Sequence, residues 1–203
     1  MVRISRRNIN SKFDFFKRVC IEECIEYLKG SIPYVRNVHI IKNTDENIEL
    51  LESTGGALCS IRYDNDIIYC EIFISENVKE YYDMKLPGQK DRREKFLKSI
   101  DVPVNEYSLF LIVLLHELGH ASLVKLFHDA ELMSDYSIFD SISETLSTIF
   151  EKRSETLKKW KVMYRNSYLP QLVNSIEAQS DIFARDNFLP LWKRLNKIVD
   201  NYN

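Results

Sequence analysis

Between residues 11 and 29, apolar side chains recur at Phe13, Phe16, Val19, Ile21, Cys24 and Leu28, and Gly30 follows. A recurrence of three to four residues predicts an amphipathic helix with a glycine stop. The period then changes. "VHIIK" (38–42) and "ALCSIRYDNDIIYCEIFIS" (57–75) are rich in β-branched and aromatic residues. They predict three strands, the last two joined by a turn at Asp64-Asn65. Between them, "NTDENIELLESTGG" reads as a short capped helix ending at Gly55-Gly56. Residues 78–103 are charged and carry the turn signal Pro87-Gly88, with a short helix expected near Arg92–Ser99. From Asn105 the chain reads as helical to the end. Breaks are expected near His128–Ser134 and Tyr168–Pro170, and Pro190 is expected to open the last helix.

Helix, small sheet, then helices is the order of an α+β domain, with a small antiparallel or mixed sheet packed on a largely helical body. The 203 residues contain no repeat, low-complexity tract or Gly/Ser linker, so one domain spanning 1–203 is expected. Composition changes little in this picture: 45% hydrophobic and 29% charged residues are ordinary for a globular protein. A net charge of −2 gives no general pull toward nucleic acid or membrane. The basic residues Arg3, Arg6, Arg7, Lys12, Lys17 and Arg18 are read as a solvated face. The first residues are polar and basic with no apolar core behind them, and the longest apolar run, Leu109 to Leu115, is too short to span a membrane. A cytoplasmic protein is therefore expected. Cys20, Cys24, Cys59 and Cys70 lack CxxC spacing and are read as buried free thiols. The predicted turn would set Cys59 and Cys70 opposite each other.

One apolar segment, "VLLHELGHASL" (113–123), carries chemistry. On a helix His116 and His120 lie one turn apart on one face and can offer two imidazole nitrogens to one metal ion. Glu117 projects about 100° away, where it can reach a water on that metal. The blander reading is a core stripe of Leu109, Ile112, His116, His120, Leu123 and Phe127. Two histidines and a glutamate buried without partners would be costly, however. Gly119 costs about 1 kcal/mol in a helix relative to alanine, so a close approach there is expected, to the strand bordering the cleft.

A catalytic zinc takes three protein ligands and leaves one position open. The metzincin continuation fails, since Leu123 and Leu126 stand where it needs glycine and histidine. Peptide deformylase would recruit Cys70, but its other signatures are absent. "SIEAQSDIFARDNFLP" (175–190) supplies the better candidate. Glu177 is the expected third ligand, ahead of Glu131, Asp140 and Glu144. Asp181, one turn on, is placed to accept a hydrogen bond from the His116 ring.

Together these residues resemble the gluzincin metallopeptidases, and most closely the ImmA/IrrE-type family. That family carries HELGHA-like residues and a downstream helix matched here by Glu177, Asp181, Phe183, Ala184, Leu189 and Pro190. Ser180 replaces an alanine, and no methionine precedes the proline. The thermolysin-like Glu-x-x-Ser-Asp pattern matches at the same place. The resemblance covers roughly residues 57–190. It implies a zincin-like fold around the HExxH helix, a zinc cofactor, and hydrolysis of a protein or peptide substrate, regulatory and of narrow specificity. The spacer from Ala121 to Ile176 is longer than that family usually carries and reads as a helical insertion around 129–170. With no DNA-binding module evident, a role in repressor cleavage does not carry over.

Zinc on His116, His120 and Glu177 would polarise a water, with Glu117 taking its proton. The strand at Ile67–Ser75 is the expected edge on which substrate lies extended. One alternative is a non-catalytic zinc-binding interaction module whose site is closed by a fourth ligand such as His128. Another is a peptidase held latent by its insert or N-terminus. His39 reads as a strand-end residue, Tyr164 and Tyr168 as weak oxyanion candidates, and Trp160 and Trp192 as core.

Overall fold

The computed structural model describes residues 3–4, 11–42, 51, 56–64, 67–84, 87–129 and 172–201. The expected insertion around 129–170 lies outside them, as do Glu131, Asp140, Glu144, Trp160, Tyr164, Tyr168 and most of the 43–56 segment.

The first helix, α1 (Lys12–Leu28), follows the apolar recurrence closely. Ser11 caps it by accepting the backbone N–H of Asp14 at 3.0 Å. Its buried face carries Phe16, Cys20, Ile21 and Cys24. Lys17 is not part of a solvated basic face: it is buried, pairs with Asp14 at 2.8 Å and lies over the Phe13 ring.

Four strands form one mixed sheet: β1 (Arg3–Ile4), β2 (Val35–Ile41), β3 (Ala57–Asp64) and β4 (Ile67–Ser75), in the order β1-β2-β4-β3. β1 was not foreseen. β2 runs parallel to β1 and β4, while β3 and β4 form an antiparallel hairpin. Asp64 is itself paired, with Ile67, so the hairpin connection falls on residues 65–66, one position later than expected. Cys59 therefore pairs with Ile72 and Cys70 with Ile61, which makes the two thiols diagonal neighbours rather than opposite ones. All four cysteines are free, with Cys59 partly exposed and the others buried.

β4 is not the edge expected from the sequence. It is hydrogen-bonded on both sides, and β3 is the outer strand. Its side chains show the same thing: Ile68, Cys70, Ile72, Phe73 and Ile74 are buried along both faces, as an interior strand requires.

Two helices follow, α2 (Val78–Met84), which was not foreseen, and α3 (Pro87–Ser99). Pro87 begins α3 instead of marking a turn, because a proline at the first helical position gives up an N–H that has no partner there anyway. α4 (Glu106–Asp129) is capped by Asn105, whose side-chain oxygen accepts the N–H groups of Tyr107 and Ser108. α5 (Leu172–Asp200) runs unbroken through Pro190, contrary to expectation. Pro190 is exposed, and Phe188, Leu191, Trp192 and Leu195 around it are buried against the core, which holds the helix through the one missing bond.

The core lies between one face of the sheet and α1, α4 and α5. The segment Glu106–Lys125 is long and apolar enough to cross a membrane by length and composition, and 83% of that window is buried inside the fold. α4 and α5 make the most extensive helix–helix contact.

Candidate metal centre

His116 and His120 share the face of α4 turned to α5, as their spacing predicts. Their Nε2 atoms are 3.2 Å apart. The carboxylate of Glu177, from α5, reaches both: Oε2 lies 3.2 Å from His116 Nε2, and Oε1 lies 3.4 Å from His120 Nε2. Ligand atoms of His116, His120 and Glu177 all fall within 4.8 Å of one another. The three expected ligands, from segments 57 positions apart, are thus brought to one point. Among the described residues the cluster has these three members; the side chain of His128 is outside them.

The outward nitrogens are engaged as well. His116 Nδ1 donates to Asp181 Oδ1 at 2.8 Å, the hydrogen bond expected from the spacing. His120 Nδ1 lies 3.0 Å from the Ser180 hydroxyl. A carboxylate only accepts, so a neutral His116 keeps its proton on Nδ1 and turns a lone pair inward at Nε2. The Ser180 hydroxyl can accept from Nδ1–H of His120, which turns its Nε2 lone pair inward too. Two imidazole lone pairs and a carboxylate then converge with nothing between them to donate. In that tautomeric state the two nitrogens and one oxygen form a donor set that could hold a metal ion.

Without a metal, protons fill this role. Burial works to lower the affinity of His116 for a proton, but the bonds to Asp181 and Glu177 outweigh it and raise its pKa above the ordinary imidazole value. Burial acts to raise the Glu177 carboxyl, and hydrogen bonds from the two histidines overcome it and lower its pKa far below the usual range. Asp181 behaves likewise: burial opposes its charge, while His116 and Arg93 hold it ionised and lower its pKa.

Gly119 explains how the helices come so close. A Cβ there would lie 2.7 Å from Ser180 Cα and 3.0 Å from Ser180 O. The close approach is therefore to α5, and not to a strand as the sequence suggested. It sets Ser180 beside His120 and carries Glu177, three residues earlier on α5, up to the imidazoles. Glu117 is buried at 6% exposure, next in sequence to His116 at 5%. The helix that carries it, α4, packs against the outer strand β3. The Glu177 side chain stays 46% exposed, so the cluster opens to solvent on that side.

Sequence reasoning missed two participants. Ser180 replaces a family alanine and fits the thermolysin-like Glu-x-x-Ser-Asp pattern, but neither gives it a role, although its position three residues after Glu177 puts it on the same helical face. Arg93 was lost among the charges of 78–103. It is 6% exposed, and its Nη2 lies 3.8 Å from Asp181 Oδ1.

Comparison of the chain with protein-family models, with curated proteins and with solved structures finds no match to any of them.

Proposed function

We propose that the protein is a zinc-dependent metallopeptidase on a zincin-like fold, similar to the ImmA/IrrE-type gluzincins, that hydrolyses a peptide bond of a protein substrate. The observation that carries this reading is the convergence of His116, His120 and Glu177, with the buried Glu117 next in sequence to His116. Zinc held by those three residues supplies a Lewis acid that acidifies water and polarises a carbonyl.

The rest is the work of the chain. Asp181 and Ser180 fix the imidazole rings so that both Nε2 atoms face inward. Glu117 accepts a proton from the attacking water and passes it to the leaving amine, which needs a carboxylate free of ligand duty. β3, the outer strand of the described sheet, packs against the helix that carries Glu117 and is the proposed edge on which a substrate lies extended. The open side of the cluster at Glu177 gives the substrate carbonyl an approach.

The test is Glu117→Gln. It should bind zinc as the wild type does and lose peptide hydrolysis entirely, measured on a pool of unfolded protein substrates by mass spectrometry of new termini. Undiminished cleavage by that variant, or a wild-type protein that holds zinc and cleaves nothing, would sink the reading.

A further inference from the structure

We infer that Arg93 is a positioning residue for the metal centre, acting on His116 through Asp181. This rests on the reading of His116, His120 and Glu177 as a metal site. Asp181 Oδ1 is the oxygen that takes the His116 ring proton at 2.8 Å, and Arg93 Nη2 faces that same oxygen at 3.8 Å. Arg93, Asp181 and His116 thus form a line from α3 through α5 to α4, ending on a ligand nitrogen.

The burial of Arg93 is poorly compensated by its contacts. Its side chain is buried, its contact with the Asp181 carboxylate is longer than a hydrogen bond, and its Nη1 is buried with no hydrogen-bond partner. A guanidinium in that state forfeits hydration without full compensation, and an apolar chain of similar volume would serve packing as well or better. α3 already has apolar anchors against α5, since Phe96 packs edge-on to Phe188 at 5.8 Å. What the cation does supply is a positive charge behind Asp181. Three carboxylates, Glu117, Glu177 and Asp181, crowd around two imidazoles. Arg93 offsets Asp181, which stands behind the His116 ring, and holds its oxygen in place for His116. The ring then stays turned with Nε2 toward Glu177 whether or not a metal is bound.

The experiment measures zinc affinity by competition with a chromophoric chelator, together with the visible spectrum of the cobalt-substituted protein. Arg93→Met keeps the volume and removes the charge. It should weaken zinc binding roughly 10–100-fold, the usual penalty for losing an outer partner of a ligand, and alter the cobalt band intensities. Arg93→Lys, which keeps the charge, should recover most of the affinity. In an Asp181→Asn background, Arg93→Met should cost at most about threefold more, because the two act in series. Zinc binding by Arg93→Met equal to the wild type would overturn the inference, as would an undiminished penalty in the Asp181→Asn background. Should Arg93→Met fail to fold, Arg93→Lys and Arg93→Gln pose the same question: affinity that follows the charge supports the relay, and equal affinity refutes it. Failure of all three to fold would assign Arg93 to packing and also refute it. A wild-type chain that takes up no zinc would instead bring down the metal reading beneath it.

Discussion

The centre depends on single side chains whose chemistry is separable. Glu177 is the only carboxylate in the described cluster that faces both imidazoles. Glu177→Ala should lower zinc affinity by more than the roughly 10–100-fold typical of losing an outer partner, because a ligand atom itself is gone. Cys70→Ala should leave affinity nearly unchanged, since Cys70 is buried within the sheet and stands outside the cluster. A chelator competition run on both variants checks this, and normal zinc retention by Glu177→Ala would remove the third ligand from the account. At this scale much was legible. The i, i+4 spacing of His116 and His120, and again of Glu177 and Asp181, announces a shared helical face whatever the tertiary fold. Ser180 and Arg93 were not legible for a physical reason. A serine or arginine is ordinary on a helix surface, and only tertiary packing shows that these two are buried beside a ligand.

Between elements, the decisive contact is α4 against α5, and Gly119 sets its closeness. Alanine at 119 would gain about 1 kcal/mol in helix propensity. Its Cβ, 2.7 Å from a backbone atom of Ser180, would force the helices apart. Shifts of that kind typically cost about 1–3 kcal/mol. Gly119→Ala is therefore expected to leave the metal-free protein no more stable in urea unfolding, and to weaken zinc binding as Glu177 recedes with α5. A variant that is both more stable and unchanged in affinity would contradict this. The helices that form the contact were readable from apolar spacing, but their partners were not: the sequence pointed Gly119 at a strand. The sheet shows the same division. Strand periods located β2, β3 and β4, yet the place of β2 beside β4 comes from a parallel crossover that no local pattern encodes. That crossover makes β4 interior and β3 the edge. Pro190 misled for a related reason, because the cost of a proline in a helix is local while the packing that offsets it is distant.

For the whole molecule, a metal held by His116, His120 and Glu177 would tie together two helices that are remote in sequence, so its binding energy would also be folding energy. Free zinc at about one hundred times its Kd would add about 2.7 kcal/mol. For a chain of this size that corresponds to a rise in Tm of roughly 5–11 °C over the chelated protein. Calorimetry with and without a chelator measures it; an unchanged Tm at saturating zinc would mean that the site is not assembled by folding. The two helices differ, however, in how deeply they are held. Every residue of α4 from Ser108 to Gly119 is buried, whereas Glu177 near the start of α5 has a half-exposed side chain. Amide hydrogens through His116 should therefore exchange with deuterium only when the entire protein opens, while those at the beginning of α5 should exchange through smaller, more frequent excursions. On that pattern the imidazoles would stay in place while the carboxylate comes and goes. Release of a metal held there would on this account be a local event that starts at Glu177 and leaves behind a folded protein ready to be reloaded.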